Sequence, residues 1–423
     1  MNRTCRTILG KAGHVLAATI LLMSPSTAGS ADNVSIRHLV QGKKVIPVTC
    51  RIGHWEITDI KLPDLVVMNR QKNPVTIERV DVIGRVSGVE TVRLHISGKP
   101  LSEAIAETAG MLNKQQLPLP AIQLSFGNAA FPEGALSENG TAAEGQSILL
   151  PLSRIAYIHH VGRMKIDGVE INVTVNAGGD RTVASFPVQL TSYEVKGKYL
   201  FPVTGDVQMA FLPLSYIHHR ASASQEFAMD LVGANQKGAA SFTDISSPNP
   251  RTLSDYSIWG RDVLAIGDGV VREIGDKFPE TRMNDPAKFA QPEYVQSLLK
   301  ELVTQIGWTN AVAGNYVLID HENGEFSMYC HLQEGSLRVK PGDKVKKGMP
   351  IARVGNTGNS GAPHLHFQLM DSPNFFTANG LPVMFENVPA QVMIEEFPVQ
   401  GNALSFSDSI FSTVPSDAAF RAP

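Results

Sequence analysis

Two histidines, His364 and His366, are separated by one residue in a short apolar segment that follows a glycine-rich turn at residues 355–361. Alternate side chains of a β-strand point to the same face, so a strand here would place the two imidazoles side by side, about 6–7 Å apart along the backbone. At that spacing one imidazole can bind a metal while its neighbour reaches a water or substrate on the metal. The alternative is a polar pair on an exposed strand face.

A second group of candidate ligands precedes this pair in the chain. Asp230 lies within the apolar run 227–232, where a buried carboxylate costs free energy unless a partner such as a metal offsets the cost. His218 or His219 would complete a His-Asp-His set with His366, and three protein ligands with an open position for water are typical of catalytic zinc. A salt-bridge role for Asp230 and a solvent-facing histidine pair are the alternatives.

The elements that must position these residues are mostly β-strands. Short alternating segments between about residues 32 and 200, such as 168–175, are typical of a β-sandwich, which we interpret as an accessory domain. A helix is predicted at 101–112 within it. The Gly- and Pro-containing stretch at about 116–145 is predicted to be a mobile loop.

The second half of the chain is predicted to be a β-rich domain over residues 201–396. Asn323 and Gly324 favour a tight hairpin turn, and residues 292–306 form an amphipathic pattern with a proline near its start, which indicates a helix inserted between strands. Residues 397–423 are rich in Ser, Pro and Ala and are predicted to be a tail. The expected fold class is therefore mostly β, with a sandwich-like domain followed by a β-rich domain that carries a helical insertion.

The first residues have the pattern of a secretory signal. Three basic residues precede an apolar run of about nine residues at 15–23, and small residues follow at 26–31, so we predict a signal peptide over residues 1–31. Its removal would take away three positive charges and move the formal charge from -3 to -6. No later segment has the apolar length of a transmembrane helix, so we expect no integral membrane segment after cleavage.

Composition limits the other function classes. Apolar residues make up 43% and charged residues 18% of the chain, which is ordinary for a globular protein, and a formal charge of -3 gives no indication of nucleic-acid binding. Cys50 and Cys330 remain after the predicted signal leaves. They could pair in an oxidising compartment, but their positions in different predicted domains favour two free, buried thiols.

Several motifs occur in a characteristic order along the second half. They are Gly-Asp-Gly-Val-Val at 267–271, Gly-Asn-Tyr-Val-Leu-Ile-Asp-His at 314–321, Met-Tyr-Cys-His-Leu at 328–332, Gly-Asp-Lys-Val-Lys-Lys-Gly at 342–348, and the glycine turn that ends in His-Leu-His-Phe at 355–367. This series resembles the lysostaphin-type zinc metallopeptidase family, whose members are peptidoglycan endopeptidases. The resemblance covers about residues 214–375.

The resemblance implies a role for each candidate. His219, Asp230 and His366 would be the ligands of Zn²⁺, and His331 and His364 would act on the water and the developing oxyanion. Taken alone, His331 is as readily explained as a core histidine that is hydrogen-bonded to backbone.

The ligand spacing departs from the family's common pattern. His219 precedes Asp230 by eleven residues and His218 precedes it by twelve, both more than the common pattern has. We choose His219 because it is the nearer.

The implied function is a secreted or periplasmic zinc metalloendopeptidase that hydrolyses peptide bonds in the stems or cross-bridges of peptidoglycan. Glycines at 314 and 355–361 are expected to let the substrate backbone approach closely. One alternative is a catalytically inactive domain of the same type that binds or regulates a cell-wall hydrolase. A carrier domain is disfavoured because the hairpin at 342–355 holds no carrier-type Met-Lys-Met motif.

Overall fold

The computed structural model describes residues 34–40, 43, 45–52, 55–115, 118–209, 219–220, 222–233, 252–280 and 292–386, together with three short strands at 410–411, 414–415 and 419–421. The predicted signal peptide and His218 lie outside these residues. Within the described part of the chain, no helix has both the length and the apolar character that crossing a bilayer requires.

The described residues of the first half form three antiparallel sheets with the strand orders β1-β4-β8, β2-β3-β9 and β11-β10-β5-β6, and β7 pairs with β5. Their strands are β1 Val34–His38, β2 Val48–Ile52, β3 Trp55–Lys61, β4 Leu65–Asn69, β5 Val75–Val86, β6 Val89–Ser97, β7 Thr141–Ala142, β8 Ser147–Leu150, β9 Tyr157–Gly162, β10 Gly168–Ala177 and β11 Asp180–Val188. Alternate residues of these strands, such as Val80, Val82, Ile171 and Val173, are buried in one shared apolar core. Sheets that cover a common core in this way have a sandwich-like arrangement.

Three helices accompany these sheets: α1 Gly98–Asn113, α2 Leu119–Phe126 and α3 Leu152–Ile155. Helix α1 confirms the helix predicted at 101–112, and it buries Leu101, Ile105 and Ala109, which share one helix face at i, i+4 and i+8. The prediction of a loop throughout 116–145 was wrong, because α2 lies within it. A proline in its first turn favours helix formation there, since that position needs no backbone donor.

The second half is organised around one large antiparallel sheet with the order β18-β15-β16-β17-β20-β13-β12-β24, in which β21 also pairs with β20. Its strands are β12 Asp206–Met209, β13 Met229–Gly233, β15 Gly269–Gly275, β16 Asn315–Asp320, β17 Phe326–Leu332, β18 Lys344–Val345, β20 Leu365–Met370, β21 Gly380–Leu381 and β24 Ala419–Arg421. The other elements are β14 Asp262–Leu264, β19 Pro350–Arg353, β22 Ile410–Phe411, β23 Val414–Pro415, a 3₁₀ turn at Leu253–Asp255, α4 Pro292–Ile306 and α5 Trp308–Ala313.

The two faces of this sheet carry different side chains. Tyr329, Leu365 and Phe367 belong to an apolar core on one face. Cys330 and Met370 belong to a smaller apolar cluster on the other face, and Leu124 of α2 packs against that cluster. Period-two alternation along β17 and β20 produces this division.

The mostly β fold class is confirmed, and the predicted insertion is helix α4, between β15 and β16. Cys330 is a buried free thiol, as expected. The two largest apolar cores draw their fully buried members from residues 34–188 and 199–383. The domain limits stated above remain predictions.

Hydrogen bonds to the carboxylate of Glu325 hold the segment between the two apolar cores against the second core. Glu325 is fully buried at the end of the β16–β17 hairpin. It accepts hydrogen bonds from the hydroxyls of Tyr193 and Tyr199, at 2.6 Å each, and from the backbone N–H groups of Lys196 and Gly197, at 2.9 and 3.1 Å. Burial would raise the pKa of Glu325, but these donors outweigh burial and hold the pKa below its ordinary value.

We predict that Glu325→Gln lowers the free energy of unfolding by about 2–4 kcal/mol at pH 7, because an amide presents two N–H donors where the carboxylate accepts several. Urea titration measures the change. Since the pKa of Glu325 is depressed by folding, its contribution is complete above the unfolded-state pKa and is lost as the pH falls through the folded-state pKa. The difference between variant and wild type should therefore shrink in acid. The exposed Glu107→Gln is the matched control, and an equal loss in both variants would contradict the prediction.

Candidate metal centre

The sheet register brings Asp230 and His366 directly opposite each other. They are paired residues on the neighbouring strands β13 and β20, and Cys330 of β17 pairs with His366 from the other side. Opposed residues of an antiparallel pair point to the same face. Residues that are 136 positions apart in sequence are thereby held with His366 Nδ1 3.0 Å from Asp230 Oδ1.

His219 reaches the same carboxylate from the segment that leads into β13. Its Nε2 lies 2.8 Å from Asp230 Oδ2, so the two oxygens of Asp230 face two different histidines. One nitrogen or oxygen from each of His219, Asp230 and His366 lies within 4.8 Å of the others. Among the described residues, no other His, Cys, Asp or Glu group of this kind meets that geometry.

Gln368 offers a hydrogen-bond acceptor to the nitrogen of His366 that faces away from Asp230. Gln368 lies two positions along β20, so it shares the face of His366, and its Oε1 is 2.8 Å from His366 Nε2. The amide Nε2 of Gln368 donates to the carbonyl oxygen of Ser224, at 3.2 Å, which leaves Oε1 as the acceptor. Donation from His366 Nε2–H to Gln368 would leave Nδ1, on the side of Asp230, as the nitrogen that can bind a metal. Without a metal, Nδ1 lies within hydrogen-bonding distance of the Asp230 carboxylate, which only accepts.

A β-bulge turns His331 toward the same face. Cys330 and His331 together oppose Tyr316 of β16, and His331 has a φ of 59°. Regular alternation would place His331 in the core beside Tyr329, but the bulge gives that core position to Leu332 instead. The imidazole of His331 consequently lies 5.9 Å from that of His366, centroid to centroid. Bulges that redirect a side chain are frequent beside functional sites.

His331 and His364 form a second pair whose ring centroids are 4.6 Å apart. His331 Nδ1 lies 2.7 Å from the carbonyl oxygen of Thr357, and His364 Nδ1 lies 2.8 Å from that of Ala362. A carbonyl only accepts, so both rings carry their proton on Nδ1 and keep a lone pair on Nε2. His364 Nε2 is 3.5 Å from Asp230 Oδ1, which places this acceptor beside the three candidate ligands.

The protonation states follow from burial and from the charges nearby. Burial raises the pKa of Asp230, but His219 and His364 outweigh it and hold the pKa well below its usual value. Burial and the neighbouring His364 and His366 keep the pKa of His331 far below that of an ordinary histidine, and burial also lowers the pKa of His364. At neutral pH the site therefore has one carboxylate and a neutral pair of candidate bases.

The donor set fits a divalent metal. Two imidazole nitrogens and one carboxylate oxygen converge, and a hydrogen bond on the far side of His366 orients one of the rings, as is usual for metal-binding histidines. Three protein ligands leave a fourth position for water. Two unprotonated imidazoles lie next to a metal-binding position, and this arrangement suits hydrolysis assisted by a metal.

All five residues singled out in the sequence come together. The glycines, in contrast, have a different role from the expected one of admitting a substrate backbone. A Cβ on Gly314 would lie 2.4 Å from the backbone of Thr357, one on Gly355 would lie 2.3 Å from the backbone of Gln333, and one on Gly358 would lie 2.3 Å from the backbone of Gly314. These glycines let segments of the protein itself approach one another. Sequence reasoning missed Gln368, although its place two residues after His366 on a strand is a signal that could have found it.

Comparison with known proteins matches part of the second half of the chain to a family of metallopeptidases. Residues 287–380 match the model of peptidase family M23, so the chain contains a domain of that family, and the resemblance to lysostaphin-type peptidases is confirmed. The matched segment includes His331, His364 and His366. His219 and Asp230 precede it.

Three relatives illustrate the similarity. The glycyl-glycine endopeptidase ALE-1 of Staphylococcus capitis is 40% identical over 86 residues, which are 20% of this chain and 23% of the relative. The peptidoglycan DD-endopeptidase ShyA of Vibrio cholerae is 42% identical over 79 residues, covering 18% and 16%. Lysostaphin of Staphylococcus simulans is 40% identical over 77 residues, covering 18% and 15%. The matched part of the chain thus spans less than a quarter of the length of each of these relatives.

We predict that Asp230→Asn lowers the pKa of His219 in the metal-free protein. Burial lowers this pKa, but the charge of Asp230 and its hydrogen bond outweigh burial and raise it above 6.5 in the wild type. Without the charge, burial is opposed only by the smaller raising effect of the hydrogen bond with Gln225, so the pKa of His219 should fall. Titration of the imidazole C–H signals by NMR measures it. The exposed Asp276→Asn should leave it unchanged, and an unchanged pKa in Asp230→Asn would refute the electrostatic assignment.

Proposed function

We propose that this chain is a secreted zinc metalloendopeptidase that hydrolyses peptide bonds in the stems or cross-bridges of peptidoglycan. The observation that carries the proposal is the convergence of His219, Asp230 and His366 beside the neutral pair His331 and His364. The M23 domain supports peptidase chemistry. The names of the relatives, a glycyl-glycine endopeptidase and a peptidoglycan DD-endopeptidase, support the choice of a cell-wall peptide as substrate.

His219 Nε2, an oxygen of Asp230 and His366 Nδ1 would hold the zinc ion. When bound, zinc lowers the pKa of a coordinated water and polarises the carbonyl of the scissile bond. Neutral imidazole, carboxylate and water are ligands that suit this ion. The donation of His366 Nε2–H to Gln368 is the contact on this chain that keeps Nδ1 available.

The two remaining histidines would move the proton. Both present Nε2 as an acceptor, and we assign the removal of the proton from the attacking water to His364, because its Nε2 lies 3.5 Å from Asp230 Oδ1. The depressed pKa of each ring keeps it in the basic form at neutral pH. His331 would then face the carbonyl oxygen or the leaving nitrogen, where a proton received from its neighbour makes it a hydrogen-bond donor.

The compartment follows from the predicted signal at residues 1–31. Export to the periplasm or beyond would bring the enzyme to its wall substrate. The alternative of an inactive domain that binds or regulates another wall hydrolase has the same compartment but would not need the proton-transfer pair.

We predict about one zinc per chain for the mature wild-type protein by elemental analysis, with loss of the metal in His366→Ala and His219→Ala. His218→Ala should keep the metal, because His219 is the histidine that contacts Asp230. The adjacent histidine is the matched control for the first ligand. Loss of zinc in His218→Ala and its retention in His219→Ala would reverse this assignment.

We predict that His331→Ala and His364→Ala retain zinc but lose about 10²–10⁴-fold in the rate of peptide release from purified peptidoglycan, as expected for removal of a general acid or base. The exposed His95→Ala should keep the wild-type rate. Wild-type protein that holds zinc but releases no peptide would overturn the enzymatic proposal in favour of the regulatory alternative.

A further inference from the structure

A buried network of charges joins the first half of the chain to the segment that carries His219. Arg220, the residue next to His219, is 1% exposed, and its guanidinium lies 3.7 Å from Asp59 Oδ2 of β3 and 3.6 Å from Glu226 Oε1. Lys43 lies 3.6 Å from the second oxygen of Glu226. Two residues of the first half, Asp59 and Lys43, thereby contact a segment whose other end is strand β13.

The same segment is also held through its backbone. The N–H of Ala223 donates to the carbonyl oxygen of Leu124 in α2, at 3.1 Å. The carbonyl of Ala223 accepts from the N–H of Gly380, and that of Ser224 accepts from Gln368, so the second half supplies contacts on the opposite side. The segment therefore lies between α2 and β3 on one side and the site-bearing sheet on the other.

Anchoring matters here because His219 is far along the chain from the nearest strand residue that shares its site. Eleven positions separate it from Asp230, and the described residues between them lie in turns and bends rather than strand until β13 begins at Met229. A segment of that length does not fix an imidazole by its own geometry, since ordering each residue costs backbone conformational entropy. External contacts must supply the order.

Oppositely charged side chains in a buried setting can supply this order. Asp59 is 2% exposed and Glu226 is 6% exposed. Burial would raise the pKa of Glu226, but Lys61, Lys43 and Arg220 outweigh it and hold the pKa below the ordinary value. Buried charges of this kind strongly disfavour any arrangement that separates them from their partners. The network thus defines the place of Arg220 and, through the adjoining peptide, that of His219.

We propose that Asp59 is a positioning residue for the metal centre: its contact with Arg220 makes the first half of the chain a determinant of zinc affinity through His219. The inference rests on the proposed function and deepens it, because it assigns the first half a role in building the metal centre.

The test compares Asp59→Asn with Asp81→Asn in the mature protein, by competition for Zn²⁺ with a chromophoric chelator at pH 7. Asp81 is a matched control, since it is a buried aspartate of the same half that pairs with Arg79 and His95, away from the His219 segment. Asp59→Asn should weaken zinc binding about tenfold or more, the cost typical of removing an outer partner of a metal ligand. Asp81→Asn should bind like the wild type.

A double-mutant cycle separates positioning from general damage. In a His219→Ala background the remaining ligands bind zinc weakly, and Asp59→Asn should weaken that binding no further if it acts through His219. An equal loss with and without His219, or no loss in either background, would overturn the inference. If Asp59→Asn folds poorly, Lys43→Met, which alters the partly exposed end of the network, takes its place in the same cycle, with a smaller loss expected.

Hydrogen exchange is a second measurement, and it tests the inference even if the wild type binds no zinc. Absence of zinc binding would contradict the proposed function. Hydrogen exchange of the peptide covering residues 219–228 in the metal-free protein should be severalfold faster in Asp59→Asn than in wild type or Asp81→Asn, because the ion pair restrains local opening. Unchanged exchange there would overturn the role of Asp59 whatever the zinc measurement shows.

Discussion

The site depends on one pairing of strands, in which Asp230 of β13 lies opposite His366 of β20. A shift of one residue in this register would move one side chain to the opposite face of the sheet. The apolar residues that flank each partner oppose such a shift, since Leu365 and Phe367 are fully buried in the core on the other face. The packing that stabilises the sheet is thus also what holds a carboxylate against a histidine.

Two devices bring the other histidines to this pair, and each departs from regular strand geometry. His331 reaches the site face because a bulge interrupts the alternation of β17, at the cost of a left-handed backbone conformation on a residue with a Cβ. His219 arrives from a segment of turns whose order comes from contacts with both halves of the chain. The regular sheet provides the reference positions, and irregular backbone completes the set of five.

These differences explain which parts of the molecule were predictable from sequence. The strand of His364 and His366 and the Pro292–Ile306 helix follow local periodicity, which a sequence displays directly. The bulge at His331 has no such signature, and the contact of Arg220 with Asp59 joins positions 161 residues apart. Proximity of that kind is set by tertiary packing. Residue chemistry and motif order selected the five site residues, whereas their geometry required the fold.

Burial has different consequences for the neutral histidine pair and for the charged network. Around the site, burial keeps the pKa of His331 and of His364 low even though the Asp230 carboxylate lies 3.5 Å from His364 Nε2, so each imidazole remains a base. Behind the site, Arg220, Asp59 and Glu226 are buried with opposite charges adjacent, and their attraction holds the segment in place. The same low dielectric therefore favours neutral imidazoles at the site and paired opposite charges in the network behind it. His219 links the site to the charged network, since it contacts Asp230 and is followed in the chain by Arg220. The geometry of the metal centre therefore depends on the order of the network.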